Sequence, residues 1–304
     1  MQMSDTAGHP GIGQSVEVAK DIRWIIAPNP SPMTFWGTNS YLIGRTDLAI
    51  VDPGPEDPAH LEALLAAVGP GQRISHILVT HSHLDHSPLA RPLADRTGAP
   101  VLAFGPSEAG RRPVMERLAE AGLAGGGEGI DAAFQPDRRL ADGDTVSGPD
   151  WMIEAVHTPG HLSNHLCFAV GDVLLTGDHV MGWASSLVSP PDGDLTAFMA
   201  SCEKLRGRSD KLYLPGHSAP IEDPAARLDW LITHRRAREA QIRNALSSGA
   251  QSVRDIARAV YTDTPAALLP AAERNVFAHL IDMVERNLAL CDGSLAVDAR
   301  FRLA

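Results

Sequence analysis

Apolar residues along this chain recur with two periods, and the switches between them mark its elements. Residues 16–27, 40–43, 48–52 and 74–80 are rich in β-branched and apolar side chains and read as strands. Residues 59–68 and 89–97 have the composition and spacing of helices. Residues 105–136 are less regular. A helix is expected over 114–121, and Gly125-Gly126-Gly127-Glu128-Gly129 reads as a flexible excursion. Strands resume at 152–157, 166–170 and 173–175, a helix covers 195–205, and 211–214 is a short strand. From about Asp223 the pattern turns helical. Residues 228–246 carry Leu228, Leu231, Ile232, Ile242 and Leu246 at amphipathic spacing. Residues 252–261 open on a serine that can cap them, and 271–288 form a third helix before a small hairpin over 295–301. This order predicts an α/β domain over residues 1–222, two sheets flanked by helices, and a small helical domain over 223–304.

The chemistry sits where these elements stop. At the carboxyl end of the 74–80 strand stands Thr80-His81-Ser82-His83-Leu84-Asp85-His86, and Ser87-Pro88 then opens the next helix. His81 and His83 lie two residues apart in extended backbone and can aim at one side. Asp85 and His86 follow the bend and are free to serve a second ion. Three further residues occupy turn-like settings: Pro159-Gly160-His161, Thr176-Gly177-Asp178 and Pro215-Gly216-His217. Alone, each of these reads equally well as a turn or cap residue. Beside the cluster they become ligand candidates, because imidazole and carboxylate bind divalent transition metals. Seven such groups can hold two ions. By contrast, His9, His60, His76, His234 and His279 stand alone and read as surface or core histidines.

His-x-His-x-Asp-His with the three remote turns resembles the metallo-β-lactamase superfamily in its two-metal form. The resemblance implies a four-layer αββα sandwich. It implies that His81, His83 and His161 hold one ion, that Asp85, His86 and His217 hold the other, and that Asp178 bridges them. It makes Asp52, in an Asp-x-Gly turn, a partner for a ligand imidazole. A narrower likeness runs through residues 29–34, 37–44 and 51–54, and through His234-Arg235, Thr264-Pro265 and 275–280 near the carboxyl end. It resembles the β-lactamase-like protein 2 branch, which includes an endoribonuclease, and its helical module is similar to a winged helix. The sequence departs from that branch at Ser87-Pro88-Leu89, where the branch tends to carry Ser-Gly-Gly, and over residues 179–186. Such loops line the substrate pocket, so the metal centre carries over and the substrate does not.

Composition narrows the function. The net charge is −11 and 44% of residues are hydrophobic, with no apolar run of membrane-spanning length. Residues 1–13 have neither a basic start nor an apolar core and read as a frayed tail rather than a secretory signal. Cys167, Cys202 and Cys291 are far apart and odd in number, which points to a reducing cytoplasm. Residues 228–304 carry ten Arg and no Lys against nine Asp plus Glu, so the module lacks the basic surplus of a nucleic-acid binder. Arg235, Arg236, Arg238 and Arg243 do form a basic stretch, which solvated helix faces also show. The preferred reading is a module that packs on the core or builds a homodimer.

Two divalent ions outweigh Asp85, Asp178 and a shared hydroxide, so the centre stays positive within an acidic chain. A metal-bridging hydroxide then attacks a carbonyl or phosphorus. Asp85 can orient it and accept a proton. His165 and His179 are further catalytic candidates, able to bind substrate or protonate a leaving group, with burial as the competing reading. The expected enzyme is a dinuclear hydrolase of a small ester, thioester or lactone. The alternatives are a metal-dependent endoribonuclease or phosphodiesterase, with RNA as partner, and an iron-dependent oxidoreductase. Zinc is the first expectation, with manganese or iron as alternatives, since oxygen and nitrogen ligands without thiolate do not separate these metals.

Overall fold

The computed structural model describes residues 9–126 and 129–304. Most of the tail expected over 1–13, and the centre of the glycine excursion, lie outside the described residues. The first sheet opens with β1 (Val16–Ala19) and β2 (Ile22–Ile26), followed by β3 (Asn39–Ile43) and β4 (Asp47–Val51), all antiparallel. The single strand expected over 16–27 is thus two. Asp21 turns the chain between them at φ 58°, a left-handed conformation that aspartate tolerates. After α1 (Pro58–Ala66), β5 (Arg73–Leu78) joins parallel to β4. After α2 (Ala90–Thr97) comes β6 (Val101–Ala103), and after α3 (Pro113–Glu120) comes β7 (Arg138–Arg139), both again parallel.

The second sheet holds β8 (Thr145–Ser147), β9 (Met152–His157), β10 (Leu166–Val170), β11 (Val173–Gly177) and, after α4 (Leu195–Arg206), β12 (Leu212–Pro215). Its order is β12-β11-β10-β9-β8. Alternation along the strands builds the layers, since successive side chains point to opposite faces. Trp24, Tyr41, Val51 and Leu78 turn inward against Ile153, Ala155, Phe168 and Leu175 of the other sheet. Their neighbours Ile25, Leu42, Ile50 and Ile77 turn outward against Leu64 of α1 and Leu93 of α2. Val156, Cys167, Ala169 and Tyr213 on the far face of the second sheet meet Phe198 and Leu205 of α4. The fold is the αββα sandwich.

The carboxyl-terminal part comprises α5 (Pro224–Leu246), β13 (Gln251–Ser252), α6 (Val253–Val260), α7 (Leu269–Glu285), β14 (Ala289–Cys291) and β15 (Arg300–Leu303). Its small sheet has the order β13-β15-β14. Ser252 caps α6, accepting from Asp255 N. The hairpin expected over 295–301 is wider, pairing Ala289 with Leu303 and Cys291 with Phe301. Helix α5 serves two cores: Leu228, Leu231 and Ile232 complete the outer layer of the second sheet, while Ile242 and Leu246 join Ile256, Phe277 and Leu280. Val114, Met115 and Leu118 of α3 enter that last cluster, so the module is seated on the sandwich through apolar contacts. The helix expected from Ser87-Pro88 begins at Ala90, because residues 83–89 are spent in turns. The strands absent from the sequence reading, β6, β7, β8, β13 and β14, have only two or three residues, too few to show a period. No described helix is long and apolar enough to cross a membrane.

Candidate metal centre

Strand β5 lies between β4 and β6, all parallel, and delivers Thr80 to the carboxyl end of the sheet, where open α/β sheets place ligands. His81 through His86 then turn back, with His86 N bonded to the His83 carbonyl at 3.0 Å. The β9–β10 connection brings His161, the end of β11 brings Asp178, and the end of β12 brings His217. Two groups result. His81, His83, His161 and Asp178 have ligand atoms within 4.8 Å of one another, as do Asp85, His86 and His217. All seven residues are buried.

Asp178 stands between the groups. Its Oδ2 is 3.6 Å from His161 Nε2 and 3.3 Å from His217 Nε2, and its Oδ1 is 3.5 Å from His86 Nε2. Asp85 Oδ2 lies 3.2 Å from His217 Nε2 and 3.4 Å from His86 Nε2. His83 Nδ1 is 3.1 Å from His81 Nε2 and 3.0 Å from His161 Nε2. The ligand edges of a tetrahedral zinc site, with bonds near 2.0–2.1 Å, would measure about 3.3 Å. The observed spacings cluster around that length.

The outward nitrogens show how the rings are held. Thr80 Oγ1 donates its hydrogen bond to Asp52 Oδ2 at 2.7 Å, so it accepts from His81 Nδ1 at 2.8 Å. His86 Nδ1 donates to Asp52 Oδ2 at 2.9 Å. His161 Nδ1 donates to the Leu187 carbonyl at 2.7 Å, and His217 Nδ1 to the Gly37 carbonyl at 3.1 Å. Each of these rings therefore turns Nε2 inward, the arrangement that metal-binding histidines need. Asp85 Oδ1, His86 Nε2 and Asp178 Oδ1 are buried without a hydrogen-bond partner. Such groups are costly to leave unmatched, and a cation matches them. The donor set fits divalent ions.

Electrostatics agree. Burial holds His83 down to about 3 and lowers His81 and His161, keeping these imidazoles neutral. Burial also raises Asp85 and Asp178, but His86 and His217 outweigh it and hold both carboxyls well below the usual range. Burial disfavours a charged His217, yet Asp178 and Asp85 raise it to about 10. A proton on that Nε2 and a cation compete for one space, so cation uptake releases protons.

A family model described as metallo-beta-lactamase superfamily matches residues 33–217. The chain belongs to the metallo-beta-lactamase superfamily. A second model, the beta-lactamase associated winged helix domain, matches residues 252–296, so the carboxyl-terminal module of this superfamily member is a winged helix. The chain is 32% identical over 269 residues to the beta-lactamase-like protein 2 homolog of Drosophila melanogaster, covering 84% of this chain and 85% of that one. It is 28% identical over 256 residues to an atrochrysone carboxyl ACP thioesterase of Aspergillus fumigatus, covering 81% and 71%. Two crystal structures share the fold. A beta-lactamase domain protein from Burkholderia ambifaria superposes with TM-score 0.81 at 24% identity, covering 99% of this chain and 96% of that one. A metallo-beta-lactamase family protein from Thermus thermophilus gives 0.75 at 22%, covering 95% and 100%. Like its superfamily relatives, the chain is a metal-dependent hydrolase.

Within this superfamily site, the structure brings all seven sequence-predicted ligand candidates together. His165 and His179 join neither group. Both are 0% exposed, His165 bonded to Thr158 Oγ1 at 2.9 Å and His179 set against Phe198 and 3.5 Å from Cys202 Sγ. As placed, neither ring reaches solvent. Missing from the sequence reading were the carbonyls of Gly37 and Leu187, since a carbonyl leaves no mark in residue identity. Thr38, whose Oγ1 donates to Asp85 Oδ2 at 3.3 Å, was also missed.

Proposed function

We propose that this chain is a two-ion hydrolase of small acyl substrates, with thioesters foremost and esters or lactones as near neighbours. The observation that carries the reading is the convergence of seven buried metal-ligating side chains, four of which, His81, His86, His161 and His217, have their outward nitrogens already engaged. In this reading His81, His83 and His161 hold one ion, Asp85, His86 and His217 the other, and Asp178 both. Bound there, two divalent ions supply Lewis acidity and a shared water whose pKa falls toward neutrality, about 7 in well-studied zinc sites. Zinc is the first choice for this donor set, with manganese and iron as the other candidates.

The chain's own residues do the rest. Asp85 has one oxygen anchored near Thr38, His86 and His217, and its Oδ1 is without a partner and able to take a proton. His165 lies behind His81, with ring centroids 5.1 Å apart, and we assign it and His179 to supporting the shell rather than meeting substrate. Residues 1–222 form the catalytic domain and 223–304 the module, and the free thiols of Cys167 and Cys202 suit a cytoplasmic setting.

Two observations support a small acyl substrate over RNA. A named relative is an ACP thioesterase. Two of the four arginines in the basic stretch are also engaged within the fold: Arg235 is buried, and Arg238 lies over the Tyr261 ring at 4.1 Å. The test is metal analysis of the native protein, then turnover of thioesters, lactones, phosphodiesters and RNA by the same preparation. Two ions per chain with thioester hydrolysis is the expected result. One ion per chain, or turnover confined to phosphodiesters, would sink it.

A further inference from the structure

The loop that leaves Asp178 contributes no candidate ligand, yet the winged-helix module holds it at several points. Near the start of α5, Arg227 donates to the Met181 carbonyl at 2.7 Å and to the Ala184 carbonyl at 2.6 Å. Further along that helix, Arg235 donates from Nη2 to the Ser186 carbonyl and from Nη1 to Asn275 Oδ1 at 3.1 Å. The same Asn275 oxygen, on α7, accepts from Val188 N at 3.4 Å. Arg274 donates to Ser189 Oγ at 3.0 Å and to the Ala124 carbonyl at 2.9 Å. Arg235 and Asn275 thus hold the residues on either side of Leu187, and the Leu187 carbonyl is the acceptor for His161 Nδ1.

Arg235 is an expensive residue to keep there. It is 3% exposed, no carboxylate pairs with it among the described residues, and its Nε has no hydrogen-bond partner. A buried cation without a counter-ion is destabilising, and an apolar side chain of similar volume would pack α5 at lower cost. What the guanidinium supplies that methionine could not is a fixed fork of donors aimed at a backbone carbonyl and at Asn275.

Resting on the reading of His161 as a ligand, we propose that Arg235 and Asn275 are positioning residues for the metal centre. The module sets the Leu187 carbonyl, and that carbonyl sets the ring and tautomer of His161. The carbonyl accepts the hydrogen bond from Nδ1–H, which fixes the proton there and leaves Nε2 beside His83 and Asp178. His86 and His217 are oriented instead by Asp52 and Gly37, outside the clamp. The clamp therefore acts on one of the two ion positions only.

Cobalt(II) titration of metal-free protein, read by ligand-field absorption and chelator competition, resolves the two equivalents. Arg235→Met and Asn275→Leu should each weaken one equivalent by about 10-fold or more and leave the other nearly unchanged. In the metal-free protein the His161 Nδ1–H proton signal should lose its protection from solvent exchange in both variants. Asn275→Leu carries the test if Arg235→Met does not fold. Ile256→Ala, which opens the module's core without removing a donor or acceptor of the clamp, should lower Tm and leave both equivalents as they were. The proposal fails if the clamp variants leave both equivalents intact, if they weaken the two equally, or if Ile256→Ala gives the same selective loss. A wild-type chain that takes up only one equivalent defeats the two-ion reading instead, and the clamp is then judged on the His161 proton signal alone.

Discussion

Asp52 Oδ2 lies 2.9 Å from His86 Nδ1, and the same carboxylate accepts from Thr80 N and Thr80 Oγ1, each at 2.7 Å. One buried side chain thereby orients His86 directly and His81 through the threonine hydroxyl. Asp52 reaches this position from φ 52°, a left-handed turn at the end of β4. Asn tolerates that backbone but offers a single acceptor oxygen to three donors. Asp52→Asn should therefore leave the fold intact and weaken metal affinity by about 10- to 100-fold, the range for lost outer partners of ligand histidines. Competition with a chromophoric chelator measures it. Unchanged affinity for both ions would remove Asp52 from the site's support.

The shared position of Asp178 leads to a second expectation. Asp178→Ala should lower occupancy of both ions and abolish turnover, because two cations lose a common anion. His161→Ala should empty mainly one position and His217→Ala mainly the other. Anomalous diffraction that found the same ion missing from both histidine variants would contradict the pairing.

Gly216 offers a steric test. A Cβ there would sit 2.4 Å from Asp178 Oδ1 and 2.8 Å from His86 Cε1. Only glycine lets the backbone pass so close to both groups, which accounts for the Pro-Gly-His turn at His217. Gly216→Ala should push Asp178 aside, cost on the order of 1–3 kcal/mol, and lower metal content with it. Chemical denaturation and metal analysis of the variant report both effects. Normal metal content at normal stability would mean that the turn relaxes freely.

The ligand candidates were legible in the sequence because each is a titratable residue in a turn at an element's end. The strands and helices of the sandwich were legible where five or more residues kept one period, as in β9 and α4. What escaped was held by the backbone or by distance. The Leu187 and Gly37 carbonyls orient two of the histidines without any residue-type signal. Arg235 looked like part of a basic helix face with Arg236 and Arg238, and helical spacing alone could not tell that one arginine of the stretch faces Phe198 and the 186–188 backbone. The short strands β7 and β13 exist only through their partners, so no local pattern announces them.

A buried histidine away from the metal centre predicts acid lability. Burial, opposed by Asp57, brings His60 down to about 4, below its ordinary value of ~6.5 in an unfolded chain. As pH falls, the unfolded chain takes the proton first, so stability from this group is complete above about 6.5 and is lost as pH falls toward 4. The loss is on the order of 3 kcal/mol. Urea unfolding of metal-free protein should show a smaller drop between about pH 7 and pH 5 for His60→Gln than for the parent. Equal drops would assign the acid lability to other groups.

The module's exposed arginines decide between the remaining readings of function. Arg236 is held only by a surface pair with Glu203, and Arg243 has no ion pair or hydrogen bond among the described residues, so both are free to meet a polyanion. If the module grips RNA, replacing both by Ala should weaken binding and flatten its salt dependence, since each lost phosphate contact removes roughly one released counterion. The module's net charge near zero, and the inward engagement of Arg235 and Arg238, argue for the opposite result. We expect weak RNA binding whose salt slope is the same in the double variant, alongside unchanged turnover of a small thioester. A steep slope that collapses in the double variant would instead make the winged helix a nucleic-acid platform. The acidic sandwich would then be tethered to its substrate by a module that carries no net negative charge.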